Sequence, residues 1–227
     1  MRDETIHDDQ LAKDLQTRNC PVCNKIWDNV MNFFSSWGYS LANDEETQKE
    51  NADFLGICPF HTWQLASIAS PQGISSGYEA LVKRISKELY RLSVSLENPC
   101  QQLSTIIIGR DHCRICALTR ETEGDYIKRL ASFLTVEDNK NIYLSSNGLC
   151  LRHLSKLLII SNTDMKKVLL KHAASRFRDW AEDMNQFSLK HKNLQRHQCS
   201  PRENNAYLTA LNHIAGGKYT NIDYERQ

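Results

Sequence analysis

Apolar residues recur at steps of three and four along most of the chain. Tyr78, Leu81, Ile85, Leu89, Leu92 and Leu96 form one such series, and Leu169, Ala173, Phe177, Trp180, Met184 and Phe187 form another. That spacing puts the side chains on one face of a helix and predicts a buried seam along each. Ile26, Val30, Phe33, Phe34 and Trp37 make a third seam that Gly38 should end, and Tyr126, Ile127, Leu130 and Leu134 a fourth. Shorter apolar helices are expected at Trp63, Leu65 and Ile68, and at Leu154, Leu157 and Ile160. A last helix should start at Pro201, run through Tyr207, Leu208, Leu211 and Ile214, and stop at Gly216-Gly217. No segment alternates with the period of two that a half-buried strand needs. The expected fold is all-α, with about ten helices.

The helical pattern repeats. Cys20-Pro21-Val22-Cys23 is followed by Gly56-Ile57-Cys58-Pro59-Phe60-His61, and Cys113-Arg114-Ile115-Cys116 by Gly148-Leu149-Cys150-Leu151-Arg152-His153. The Cys-x2-Cys pairs are 93 residues apart and the Cys-x2-His pairs 92, with inserts of 34 and 33 residues between the pairs of each copy. Each copy then passes through a short apolar helix, a polar break and a long amphipathic helix. This order predicts an N-terminal helical segment 1–17, a helical metal-binding repeat 18–97, a linker helix 98–110, a second repeat 111–192, and a C-terminal helix and tail 193–227. The two repeats are expected in a pseudo-twofold arrangement.

Clustered thiols and imidazoles at this spacing suit a metal. A Cys-x2-Cys turn brings two sulfurs onto one ion, and a short-spaced Cys-x2-His completes a tetrahedron. Taken repeat by repeat, the ligand sets are Cys20, Cys23, Cys58 and His61, and Cys113, Cys116, Cys150 and His153. Cys20 and Cys58 each precede a proline, which favours the first helical position, so both are expected at helix N-caps. Unpaired N–H groups and the positive end of the helix dipole there stabilise thiolate. Two structural zinc ions are the first reading. Iron–sulfur clusters are the second, although these more often use four cysteines. Metal-free redox dithiols are the third. Cys100 and Cys199 have no counterpart in the repeat. His112, His172 and His213 are read as non-ligands, the last two as structural histidines on apolar helix faces.

Charge changes the picture modestly. The net charge is +1, but residues 1–55 sum to −6 and residues 151–202 to +7. The basic stretch could meet an acidic protein partner or nucleic acid, yet no nucleic-acid-binding motif accompanies it. No apolar run approaches the roughly 20 residues that span a bilayer, so no membrane association is expected. The start Met1-Arg2-Asp3-Glu4 lacks the features of a secretory signal. That points to the cytoplasm, where clustered cysteines more often bind metal than form disulfides. Gly-x-Ser-x-Gly, His-Glu-x-x-His and Gly-x-Gly-x-x-Gly are all absent, so nothing marks an enzyme.

The succession Cys-x2-Cys, Gly-x-Cys-x2-His and Gly73-Ile74-Ser75-Ser76-Gly77-Tyr78 is similar to a family of archaeal and bacterial proteins of unknown function with duplicated Cys-x2-Cys … Cys-x2-His motifs. The closing Glu203-Asn204-Asn205-Ala206-Tyr207 … Ala210-Leu211 … Ile214-Ala215-Gly216 resembles that family's C-terminal pattern. The resemblance spans about 18–217 and carries over the same eight cysteine and histidine positions. It implies metal binding and brings no activity. Three functions follow as expectations: a zinc-stabilised interaction or scaffold protein; an iron–sulfur or dithiol redox, electron-transfer or cluster-assembly protein; and a nucleic-acid-binding regulator using 151–202.

Overall fold

The computed structural model describes residues 2–95 and 98–218. These form eleven α-helices and two 3-10 turns, with no strand, so the all-α expectation holds with one more helix than the periodicity suggested. In chain order they are α1 (Arg2–Leu15), α2 (Pro21–Asn43), α3 (Glu45–Asp53), α4 (Pro59–Ala66), α5 (Pro71–Ser95), α6 (Pro99–Ile106), α7 (Arg114–Phe133), α8 (Glu137–Ser145), α9 (Leu151–Ile160), α10 (Thr163–Lys192) and α11 (Pro201–Ala215). The order long, short, short, long occurs twice, as α2–α5 and α7–α10. Leu96 and the end of the tail lie outside the described residues. No described helix is long and apolar enough to cross a membrane.

Several local expectations are corrected. Gly38 does not end α2, which runs on to Asn43. Trp37 and Leu41 on either side of it are buried, and their packing outweighs the roughly 1 kcal/mol that a helical glycine costs. The linker helix is shorter than 98–110: α6 ends at Ile106, Ile107 is extended, and a 3-10 turn at Arg110–His112 leads into Cys113. The seams are also narrower than their periodicity implied. Leu89, Met184, Trp63, Ile68 and Ile160 are all exposed. In α4 and α9 the inward face is set by His61 and Leu65, and by His153, Leu154 and Leu157, which turns Trp63 and Ile160 outward.

The chain divides into two compact units. Among the described residues, one holds 2–27 and 123–218, and the other holds Asp28–Thr122. Each unit therefore takes the opening of one sequence repeat and the remainder of the other, because α2 and α7 each begin in one unit and end in the other. In the first unit α10 packs along α11, α9 lies against both, and α1 lies on α8. Leu11, Leu15, Ile26, Leu130, Leu157 and Leu169 are buried there, and the Tyr126 hydroxyl donates to the Asp14 carboxylate at 3.0 Å.

In the second unit α5 packs on α3 and α6, over a core that includes Phe34, Leu41, Leu65 and Leu81. Arg114 at the start of α7 stacks on Trp37 and Phe54, 5.5 and 5.6 Å from the ring centroids, and pairs with Glu50 at 3.6 Å. These contacts fix the start of the helix that carries Cys116. Helices α2 and α5 approach closely at Gly77, where a β-carbon would stand 2.6 Å from Leu41 Cγ and 3.0 Å from the Leu41 carbonyl oxygen. The backbone atom cannot turn aside as a side chain can. Gly77→Ala should therefore lower unfolding stability by about 1–3 kcal/mol. At the helical Gly124 a β-carbon would meet nothing within 4 Å, and Gly124→Ala should raise stability by up to about 1 kcal/mol. Urea midpoints measure both, and coincident midpoints for the two variants would refute the close-approach argument.

Candidate metal centres

All four motif-opening cysteines stand at helix starts. The carbonyls of Cys20, Cys58, Cys113 and Cys150 accept the N–H groups of Asn24, Thr62, Ala117 and Leu154 at 2.8–3.1 Å, the first bond of each helix. Cys58 and Cys150 are N-caps in extended conformation whose side chains make no cap hydrogen bond, so their sulfurs are available for other work. The glycine two residues before each has positive φ, +87° at Gly56 and +75° at Gly148. Side chains rarely adopt that conformation, which explains the shared Gly-x-Cys-x2-His. After α3 the chain closes a turn by donating from Gly56 N–H to the Asn51 carbonyl at 2.8 Å, and then enters Cys58.

The eight residues gather into two groups, Cys20, Cys23, Cys150 and His153 in one unit, and Cys58, His61, Cys113 and Cys116 in the other. This corrects the grouping taken from the repeats. Each Cys-x2-Cys meets the Cys-x2-His of the other copy. Helix length supplies the reason. The 23 residues of α2 advance the chain by about 34 Å from Cys20. The nine residues of α3 advance it by only about 13 Å, and the tight turn after them adds little. The stretch up to Cys58 is too short to return to the start of α2.

Within each group all ligand atoms lie within 4.8 Å of one another, and none of the eight residues is more than 3% exposed. In the first group Cys23 and Cys150 sulfurs are 3.8 Å apart, and His153 Nδ1 is 3.3, 3.4 and 3.1 Å from the sulfurs of Cys20, Cys23 and Cys150. In the second, Cys58 and Cys116 sulfurs are 3.7 Å apart, and His61 Nδ1 is 3.3, 3.4 and 3.4 Å from Cys58, Cys113 and Cys116. The sulfurs strongly perturb one another's titration. Hydrogen bonds from Cys150 and Cys20 pull Cys23 far down, and those from Cys116 and Cys58 do the same to Cys113. Burial pushes Cys20 well up, and the hydrogen bond to Cys113 pushes Cys116 up. Burial works against a charged imidazole at both histidines, yet neighbouring thiolates raise His61 and His153. Each group thus concentrates negative charge in a dry pocket, and its soft donors fit a metal cation.

A residue that the sequence reading missed supports the first group. Glu123 is 3% exposed, and its carboxylate accepts from His153 Nε2 at 2.9 Å, from Arg152 at 2.8 Å and from Lys156 at 2.6 Å. The carboxylate fixes the imidazole so that Nδ1 faces the sulfurs, an arrangement usual behind metal-bound histidine. A signal was available: Glu123 lies in the phase of the apolar seam of α7, seven residues after Cys116. The matching position after Cys23 is Val30.

Of the residues not read as ligands, His172 Nε2 bonds the Ser146 carbonyl at 3.1 Å and His213 Nδ1 the Thr209 carbonyl at 2.8 Å. Both are structural. His112 lies in a 3-10 turn outside the groups. Cys100 is exposed. The Cys199 sulfur lies 3.8 Å from His191 Nδ1, and among the described residues it belongs to neither group. No family model, curated protein or solved structure matches this chain, so its functional reading rests on this geometry.

Burial pushes the Glu123 carboxyl up, but hydrogen bonds from His153 and Lys156 and the charge of Arg152 outweigh it and hold the group at about 2. A carboxylate depressed on folding stabilises the protein above its unfolded range and loses that contribution as pH falls toward the folded value. Wild type should therefore exceed Glu123→Gln by on the order of 3 kcal/mol at neutral pH. The difference should shrink between pH about 4.5 and about 2. Unfolding curves of both proteins across that range measure it, and a pH-independent difference would refute the ionic role.

Proposed function

We propose that the protein holds two structural zinc ions, one in each three-cysteine, one-histidine group, and that the metal-locked helices serve as a protein-interaction scaffold. One observation carries this reading: in each group the four ligand atoms lie within 4.8 Å of one another. Tetrahedral zinc, with Zn–S about 2.3 Å and Zn–N about 2.0–2.1 Å, sets sulfurs about 3.8 Å apart and sulfur and nitrogen about 3.5 Å apart. The S···S separations of 3.7 and 3.8 Å and the S···Nδ1 separations of 3.1–3.4 Å are close to that. An iron–sulfur cluster interposes several irons and bridging sulfides between its protein ligands and asks for a wider set, so the spacing favours a single ion. Four protein ligands with no open position favour a structural ion over a catalytic one.

The interaction role is supported by α11. Tyr207, Leu208, Leu211 and Ile214 are each more than two-fifths exposed and recur along one side of that helix, the kind of contiguous apolar surface that partners cover. The +7 charge of residues 151–202 favours an acidic partner.

Protein purified without oxygen should be colourless and contain two zinc per chain. Chelation should unfold it, because metal affinity in such sites is folding free energy. Iron with sulfide and a brown colour would replace zinc with a cluster, and a well-folded metal-free protein would remove the reading altogether. The grouping has its own test. Cys20→Ser combined with Cys150→Ser should leave one zinc, whereas Cys20→Ser combined with Cys58→Ser should leave none. The reverse result would restore sets drawn from single repeats.

A further inference from the structure

Outside the metal groups, the unit that contains Cys20 and Cys150 holds a cavity of about 350 Å³. Helix α10 lines it with Arg176, Trp180 and Asp183, spaced to share one face. Helix α11 lines it with Arg202, Asn205 and Thr209. Two loops close it through Arg18 and Asn147, which are tied together by a hydrogen bond from the Asn147 amide to the Arg18 carbonyl at 3.1 Å.

We propose that this cavity binds a small phosphate monoester, with its phosphate held by Arg18, Arg176 and Arg202. The charge is the first reason. Three arginines, Arg18, Arg176 and Arg202, line a single cavity. Arg202 pairs with Asp183 and Arg176 with Asp179. The Arg18 guanidinium has no carboxylate partner among the described residues, so the set keeps one positive charge after both acids are counted. Guanidinium geometry is the second reason. A planar guanidinium fork matches phosphate oxygens two at a time, and a phosphate monoester carries the charge that three arginines ask for.

The body of the ligand meets neutral groups. Asn147, Asn205 and Thr209 each keep spare donor or acceptor capacity beyond the bonds they already make to Arg18, Pro201 and Asn205 carbonyls. The volume lies near the lower end for small-molecule sites, which suits a phosphate on a short polar body and is too small for a dinucleotide. None of the eight metal-group residues lines this cavity, so the proposal stands apart from the zinc reading.

Calorimetric titration of the full-length protein as purified tests it, with ribose 5-phosphate, inorganic phosphate, ribose and succinate as probes. Ribose 5-phosphate should bind with one-to-one stoichiometry, inorganic phosphate more weakly, and ribose and succinate not measurably. Arg18→Gln and Arg176→Gln should each weaken binding about tenfold, the usual effect of losing one charge-assisted contact. Absence of saturable binding by both phosphate probes at millimolar concentration would overturn the proposal, as would affinities unchanged in both variants. Succinate binding equal to the phosphate ester would overturn the phosphate assignment, and inorganic phosphate binding as tightly as the ester would overturn the ester. Arg18 is on an exposed loop, so Arg18→Gln decides alone if Arg176→Gln does not fold.

Discussion

Each of two buried groups must bring three sulfurs and an imidazole nitrogen within 5 Å of one another, a donor set that could hold a cation. Both groups impose that constraint, and much else in the chain follows from it. Four helices must start where their opening cysteines face a common point. The chain must bend through positive φ at Gly56 and Gly148 to deliver Cys58 and Cys150 to those starts. Cys23 must also meet Cys150 across 127 residues, while Cys58 meets Cys116 across 58. Loop entropy resists this only weakly. Closing the longer loop costs about 1 kcal/mol more than a loop of some 35 residues would. A structural zinc ion, if held there, would contribute about 10–16 kcal/mol at neutral pH, far more than that difference.

The identity of the eight clustered residues was legible in the sequence, because short-range spacing records which side chains can point at one ion. Their partition into two groups was not, because spacing within a pair says nothing about which pairs meet. That question turns on how far rigid elements carry the chain. Reading Gly38 as a helix stop shortens α2 to about 25 Å, and a return to Cys20 then looks feasible. With α2 continuing to Asn43 it does not. The sets drawn repeat by repeat joined each Cys-x2-Cys to the Cys-x2-His that follows it, and the full length of α2 is what separates those two pairs. Tertiary burial of Trp37 and Leu41, rather than local propensity, decided the point.

The apolar seams show a similar limit. Their period located the helices well, but burial depends on which face the neighbouring elements cover. Short helices carrying a ligand histidine have little freedom here. Once His61 faces inward, α4 places Leu65 in the core and leaves Trp63 76% exposed. Period alone cannot distinguish a residue in the stripe from one at its edge.

The two groups share a donor set yet are not equivalent. Around His153 the surroundings are ionic: the Glu123 carboxylate bonds the imidazole and is itself held by Arg152 and Lys156. Around His61 they are aromatic, with the Phe34 and Phe60 rings 6.4 and 5.1 Å from the imidazole. In the repeat register, Val30 stands where Glu123 stands. A carboxylate behind a ligating imidazole raises its basicity and fixes its tautomer, whereas an aromatic cage restrains the ring by packing alone. The ionic group should therefore hold a cation more tightly at neutral pH and respond more steeply to acid. A duplicated ligand pattern in the sequence has thus yielded two centres with the same donors and different electrostatics.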